Sequence, residues 1–169
     1  LLLGWHHISR RRWRVPAGVL PGMLAECLLL AIALRMILQL QKGLFGLVSG
    51  PSTASLADKC KQVAGGLIGY LGAGIYEELL FRLILLSLAL WLLCRLGVSG
   101  RKSFLIGVIA TSLLFAAAHY VGPYGEQFQT FSFVFRFVAG VFFSVLFLYR
   151  GFGIAAGTHA FYDILVGLW

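Results

Sequence analysis

Apolar residues along this chain neither alternate with polar ones nor return only every third or fourth position; they run on in long stretches. Five stand out, at 19–40, 67–96, 104–120, 131–149 and 154–169. A helix of about 20 apolar residues crosses a bilayer, so the pattern predicts an all-α transmembrane bundle of about five spans. Turn-forming sequence separates them: a Gly-, Ser- and Pro-rich connection at 43–55, GVSGRKS after Leu96, VGPYGEQFQT after Tyr120, and GFG at 151–153. Segment 56–66 carries Asp58, Lys59 and Lys61 and predicts a short interfacial helix leading into the central span. The last stretch is short, and the glycines before it leave room for a re-entrant or broken helix. No span repeats another, and no tract is of low complexity.

Composition agrees. The chain is 60% hydrophobic and 12% charged, where a soluble domain carries about 25% charge. A multi-pass integral membrane protein follows, in the plasma or inner membrane if prokaryotic, with membrane lipids as partners. The formal charge of +8 invites a nucleic-acid reading. However, the basic residues sit mostly between spans instead of forming one face or arm, which is what headgroups and the positive-inside asymmetry select; no nucleic-acid partner is expected. Arg10, Arg11, Arg12 and Arg14 around Trp13 read as a headgroup anchor. Cys27, Cys60 and Cys94 are odd in number and lack CxxC spacing, so no disulfide framework or zinc finger is available, and Cys27 and Cys94 read as small apolar fillers. The chain has no initiator Met or signal-peptide pattern and stops inside an apolar stretch, which suggests a piece of a longer membrane protein. Residues 1–66 would hold the basic segment, first span and connection, and 67–169 the functional core. Oligomeric state leaves no signal.

The central span holds the anomaly. Glu77, Glu78 and Arg82 lie on two helical turns inside apolar sequence. Each charge at bilayer depth costs about 3 kcal/mol even on lenient insertion scales. Glu78 and Arg82 are four apart in the favourable order and can neutralise one another on one face. Glu77 points about 100° away with no local partner, so it is the residue that demands a function. In the first span, Glu26 and Arg35 are nine apart on opposite sides, and each must face a neighbouring helix or snorkel.

Two histidines lie within spans: His119 ends the third, and His159 lies in the last with Asp163 four residues on. Small residues at 72–74, 116–118 and 155–157 allow close helix approach, so these groups can converge in one polar cavity. The same groups would also serve a proton-coupled transporter or channel as a relay, although they cluster instead of forming a chain and no inverted repeat is visible. A non-catalytic immunity or scaffold protein that uses the charges for stability is the other alternative.

EELLFR at 77–82, FAAAH at 115–119 and HAFYD at 159–163 resemble the three successive motifs of the CPBP family, which comprises membrane-embedded CAAX prenyl proteases and bacteriocin-processing or immunity proteins. The family pattern is EExxxR, then FxxxH, then Hxxx followed by Asn or Asp. The resemblance covers about 67–169 and implies an intramembrane endopeptidase acting on a membrane-associated peptide, prenylated or a leader. It implies a water activated by Glu77 with His119, Glu78 and Arg82 behind them, and His159 with Asp163 stabilising the oxyanion or holding the group that does. Where relatives have Asn, an amide donates; Asp163 must instead be protonated or orient His159. Phe115 reads as structural. Glu77, His119, His159 and Asp163 would also suit zinc or another divalent ion, but no local HExxH-type ligand pair is present, and a water activated without metal needs the same four residues.

Topology remains in tension. If every span crosses, Arg10, Arg11, Arg12, Arg14, Arg95, Arg101, Lys102 and Arg150 share one side and Lys42, Lys59 and Lys61 the other. The positive-inside rule makes the first side cytoplasmic and puts Glu77 and His119 nearer the outer face, whereas the resemblance implies access from the cytosol.

Overall fold

A computed structural model describes residues 17–47, 56–123 and 125–167, with the backbone alone for 56–63. The basic anchor at 10–14, most of the 43–55 connection and the side chains of Asp58, Lys59, Cys60 and Lys61 lie outside the described residues. Every described element is helical. Helix α1 is Val19–Leu44, and α2 is Leu56–Glu78. A π-helical segment, Leu79–Leu86, continues α2 directly into α3, Ser87–Arg95. Then come α4, Gly100–Ala118, α5, Thr130–Arg150, and α6, Phe152–Gly167.

Helices α1, α4 and α5 are long and apolar enough to cross a membrane. The predicted central span is part of one helical run from Leu56 to Arg95. The separate interfacial helix expected at 56–66 is instead the first turns of α2, because Gly65 and Gly66 do not break it. Helix α6 has 16 residues, or about 24 Å, short of the ~30 Å hydrocarbon layer. Among the described residues, the membrane protein predicted from composition is therefore realised as three spanning-length helices, one long interrupted helix and one short one.

The ends follow local chemistry. Gly46 and Gly97 adopt φ of 68° and 78°. After α1, the Leu47 N–H donates to the Lys42 carbonyl and Gly46 to Gly43; after α3, Val98 donates to Leu93 and Gly97 to Cys94. Both are glycine-terminated Schellman closures, which satisfy carbonyls that lipid would leave bare. Gly151, at φ 87°, turns α5 into α6 in a single residue.

Helix α1 buries Cys27, Ala31, Leu34, Leu38 and Gln41, a stripe at alternating steps of three and four. Leu34 and Leu38 meet Phe135, Ala139, Phe143 and Leu146 of α5, with Ala155 of α6. Leu24, Leu28, Leu29, Ile32, Met36 and Leu40 face outward, as lipid contact requires. Gln41 donates to the Phe131 carbonyl at 2.8 Å at one end of the α1–α5 contact. At the other, Arg150 grips the Glu26 carboxylate with two hydrogen bonds of 2.5 and 2.6 Å, so Glu26 faces a neighbouring helix. Cys27 is the buried filler expected, but Cys94 is exposed. It sits on the outward side of α3 near Trp91, where no packing selects a small residue.

Two glycines let the backbones close on the site. A Cβ on Gly74 would stand 3.0 Å from the Ala160 nitrogen, across α2 and α6. A Cβ on Gly140 would stand 2.9 Å from the Ser112 Cβ and 3.0 Å from its Cα, across α4 and α5. Nothing lies within 4 Å of a Cβ on Gly72. Gly140→Ala should therefore lower stability by about 1–3 kcal/mol through overpacking, whereas Gly72→Ala should be neutral or gain up to about 1 kcal/mol of helix propensity. Thermal unfolding in detergent reads both; equal midpoints for the two variants would contradict the packing described.

Candidate active site

The polar site begins where α2 changes its winding. In an i→i+5 helix, residues four and five apart return to nearly the same face, and Phe81, Arg82 and Leu86 are the buried residues of the π segment. Glu78 and Arg82 lie on that inward side, 0% and 1% exposed. Arg82 Nη1 stands 3.0 Å from Glu78 Oε1 as an ion pair outside hydrogen-bond alignment. Its Nη2 donates to the Gly140 carbonyl at 3.2 Å. Its guanidinium lies over Phe115, 4.3 Å from the ring centre, and 5.4 Å from that of Phe143, a stacked setting that a planar delocalised cation suits.

His159 closes this buried group. Its Nδ1–H donates to Glu78 Oε1 at 2.8 Å, and its ring stacks on Phe143, centroids 4.4 Å apart and planes 14° off parallel. Glu78 Oε1 thus meets both the imidazole of α6 and the guanidinium of the π segment. With Nδ1 so engaged, His159 turns Nε2 the other way, 3.7 Å from Glu77 Oε2 and 3.8 Å from Asp163 Oδ2.

His119 arrives from α4, as its C-terminal cap. Its Nδ1 bonds the Phe115 carbonyl at 2.9 Å. A carbonyl only accepts, so Nδ1 carries a proton and Nε2 is the ring nitrogen left facing away from the helix. That nitrogen lies 4.0 Å from Glu77 Oε1. Both histidines therefore aim Nε2 at opposite oxygens of one carboxylate. Separations of 3.7–4.0 Å are too long for direct hydrogen bonds and fit a bridging water.

Exposure divides the six residues. Glu77, His119 and Asp163 keep 26%, 24% and 24% of their side-chain surface, whereas Glu78, Arg82 and His159 are buried. A cavity of about 340 Å³ is lined by His119, His159 and Asp163, together with Lys42, Arg136 and Phe143. A second, of about 350 Å³, is lined by Glu77, His119 and Glu126, among others. His119 separates them. As the side chains stand, no three His, Cys, Asp or Glu among the described residues form a metal-ligand group. Glu77, His119, His159 and Asp163 supply the donor types of a divalent-metal site, at spacings wider than a closed tetrahedral shell.

The sequence model of the type II CAAX prenyl endopeptidase Rce1-like family matches residues 59–165, well over half of the chain. The chain belongs to that family. All three motifs lie within the matched range, as the CPBP resemblance implied. Searches of curated proteins and of solved structures find no match. Membership in this CAAX endopeptidase family makes the chain a membrane protease in general terms and agrees with its apolar helices.

Two site residues, Phe143 and Gly140, carried no sequence signal, and a third, Phe115, was visible only as the first residue of FAAAH. Phe143 is one aromatic among many in α5, yet it stacks on His159 and flanks Arg82. Gly140 supplies the carbonyl that Arg82 reaches. Phe115 supports three groups at once: the Arg82 cation and the His119 and His159 rings, at 5.1 and 6.2 Å. Arg82→Ala should leave the buried Glu78 without its cation and cost about 3–5 kcal/mol. Arg82→Lys should recover only part of that loss, since an ammonium cannot both stack and fork. Folded yield by size-exclusion and melting temperature test this; a Lys variant as stable as the parent would contradict it.

Proposed function

We propose that this protein is an intramembrane endopeptidase that hydrolyses a peptide bond of a membrane-anchored peptide, using a water activated between Glu77 and His119. The observation that carries this reading is the convergence of both Nε2 atoms on the Glu77 carboxylate, 4.0 and 3.7 Å away. A water held there attacks the substrate carbonyl carbon, and its proton passes to Glu77 as the C–O bond forms. In its imidazolium form, His159 donates Nε2–H to the developing oxyanion, with Glu78 holding the other nitrogen in orientation. The tetrahedral intermediate collapses when the leaving amine takes a proton from Glu77. Asp163, beside His159 Nε2, adds a donor only in its protonated form.

An apolar groove of about 470 Å³ supports a lipid-anchored substrate. It is lined by Phe81, Leu85, Leu114, Ala117, Ala118 and Val121, and Phe81, Ala118 and Val121 also wall the cavity that contains Glu77. An apolar anchor can lie in the groove while the peptide reaches the carboxylate. Clustering of the ionisable groups at one site favours hydrolysis over a proton relay across the bilayer.

Glu77→Gln should lower turnover of a farnesylated reporter peptide by 10²–10⁴-fold, with a melting temperature equal to or above that of the parent. Glu78→Gln should lower folded yield as well as activity, because it disturbs the buried contacts of Arg82 and His159. Peptide cleavage and thermal unfolding of the two purified variants decide the assignment, and the reverse pattern would mean the glutamates have been exchanged. A chelator series on the same reporter separates a metal-held water from one held by side chains alone.

A further inference from the structure

His119 directly follows α4 as its C-terminal cap, and helix ends fray unless their last groups are tied down. Its ring is tied to its own helix, with Nδ1 donating to the Phe115 carbonyl at 2.9 Å. Its backbone is tied from outside. The His119 carbonyl accepts the Glu126 N–H at 2.9 Å, which closes the turn that leaves α4. That turn is tight: a Cβ on Gly125 would stand 2.8 Å from the Tyr120 carbonyl carbon and oxygen, so the chain folds back onto the residue next to His119.

Arg136 holds both ends of this turn. Its Nη2 donates to Glu126 Oε1 at 2.6 Å, and its guanidinium lies 5.3 Å from the Tyr120 ring centre. Tyr120 packs in turn against Phe128 and Phe133, with centroids 5.2 and 6.2 Å away. Arg136 belongs to α5, the helix that brings Gly140 and Phe143 to the sealed ion-pair group. It lines the cavity of His159 and Asp163, whereas Glu126 lines that of Glu77. The pair therefore bridges the walls of the two cavities that His119 separates. Stability does not account for it. A cation inside an apolar helix is costly, and Glu126 is 58% exposed, so the pair is of the exposed kind that contributes little to folding.

We propose that Arg136 and Glu126 are positioning residues for His119. Arg136 fixes the turn to α5, and through the Glu126 N–H the turn holds His119 Nε2 in place beside Glu77. The inference rests on the proteolytic reading, in which His119 and Glu77 share the attacking water, and adds what keeps the two in register. Both residues act through His119, not on the substrate. His119 Nε2 lies 4.0 Å from Glu77 Oε1, a gap that one water bridges, and a misplacement of about 1 Å costs on the order of 100-fold in rate. Loss of the tie therefore falls on kcat, because a water out of line weakens the transition state and not the ground-state complex.

The test uses the intact protein in nanodiscs with a farnesylated reporter peptide. Glu126→Ala and Arg136→Gln should each lower kcat by about 10–100-fold, with KM within about threefold and melting temperature within about 4 °C of the parent. The losses should not multiply: the double variant should be about as slow as the slower single one, since both act through one turn. Glu26→Gln, which breaks the pair with Arg150 about 21 Å further along α5, should keep kcat within about twofold. A parent-like kcat in either site variant, multiplied losses, or an equal loss in Glu26→Gln overturns the inference and leaves the protease reading intact. If the parent cleaves nothing, the protease reading falls, and histidine ring spectra of isotope-labelled protein still decide. The His119 ring signals, assigned by their loss in His119→Gln, should shift or broaden in Glu126→Ala; unchanged signals overturn the positioning. Should Arg136→Gln not fold, Glu126→Ala, a change at an exposed position, decides by the same kcat and ring readouts.

Discussion

One buried contact orders this structure: the Glu78 oxygen that faces both Arg82 and His159. Three ionisable side chains, from the end of α2, the π segment and α6, are almost wholly removed from solvent there. In a bilayer none of them is tolerable alone; together they neutralise and bond one another. The geometry that makes this possible constrains much else. Arg82 reaches the Gly140 carbonyl, at the place where α4 and α5 touch through a residue without a side chain. His159 must reach Glu78, so α6 must sit against α2 at Gly74, where any Cβ would meet the Ala160 backbone. The aromatic rings of Phe115 and Phe143 fill the remaining space with faces that accept a cation and an imidazole.

Adjacent glutamates acquire different work from that arrangement. Glu78 faces the packed interior, where its Oε1 is shared by Arg82 and His159 and its Oε2 is buried without a hydrogen-bond partner. Glu77, one position earlier, is turned into the cavity, and its nearest titratable neighbours are the two Nε2 atoms. A residue at the boundary between packed interior and cavity can keep a water within reach and still sit in a low-dielectric setting, which strengthens its effect on developing charge. The π segment begins directly after this pair, and such segments concentrate at functional sites. Its wider winding places Phe81 and Leu86, five apart, on the inner side with Arg82.

Much of the architecture was legible because membrane insertion leaves plain marks. Unbroken apolar runs announced helices, and turn residues at 97 and 151 marked their ends. Glu78–Arg82 was readable from spacing, since both partners lie on one helix. What the sequence did not disclose depends on partners far apart in the chain or on backbone detail. Glu26 and Arg150 are separated by most of the chain, so the first was visible only as a charge in need of a neighbour. Arg136 stands inside the apolar stretch 131–149, and its partner Glu126 lies in a loop that no helical spacing connects to it. The π register has no recognisable signal in LLFRLILL, which reads equally well as α-helix. Gly140 and Phe143 became site residues through the crossing of α4, α5 and α6, which no local pattern encodes.

Hydrolysis at membrane depth raises a problem of water supply as much as of catalysis. A fully buried carboxylate would be dry and costly, and a lipid-facing one would be unable to keep water in a lipid environment. The site avoids both extremes by separating its functions in space. Charge that serves structure is sealed between helices, and charge that can serve chemistry lines cavities on either side of His119. His119 is tethered to its own helix through Nδ1, so its free nitrogen is oriented without a second buried acid. His159 takes its orientation from the sealed group and shows its other nitrogen to the cavity. The buried network therefore reaches the cavity through one imidazole ring, whose two nitrogens belong to two different environments.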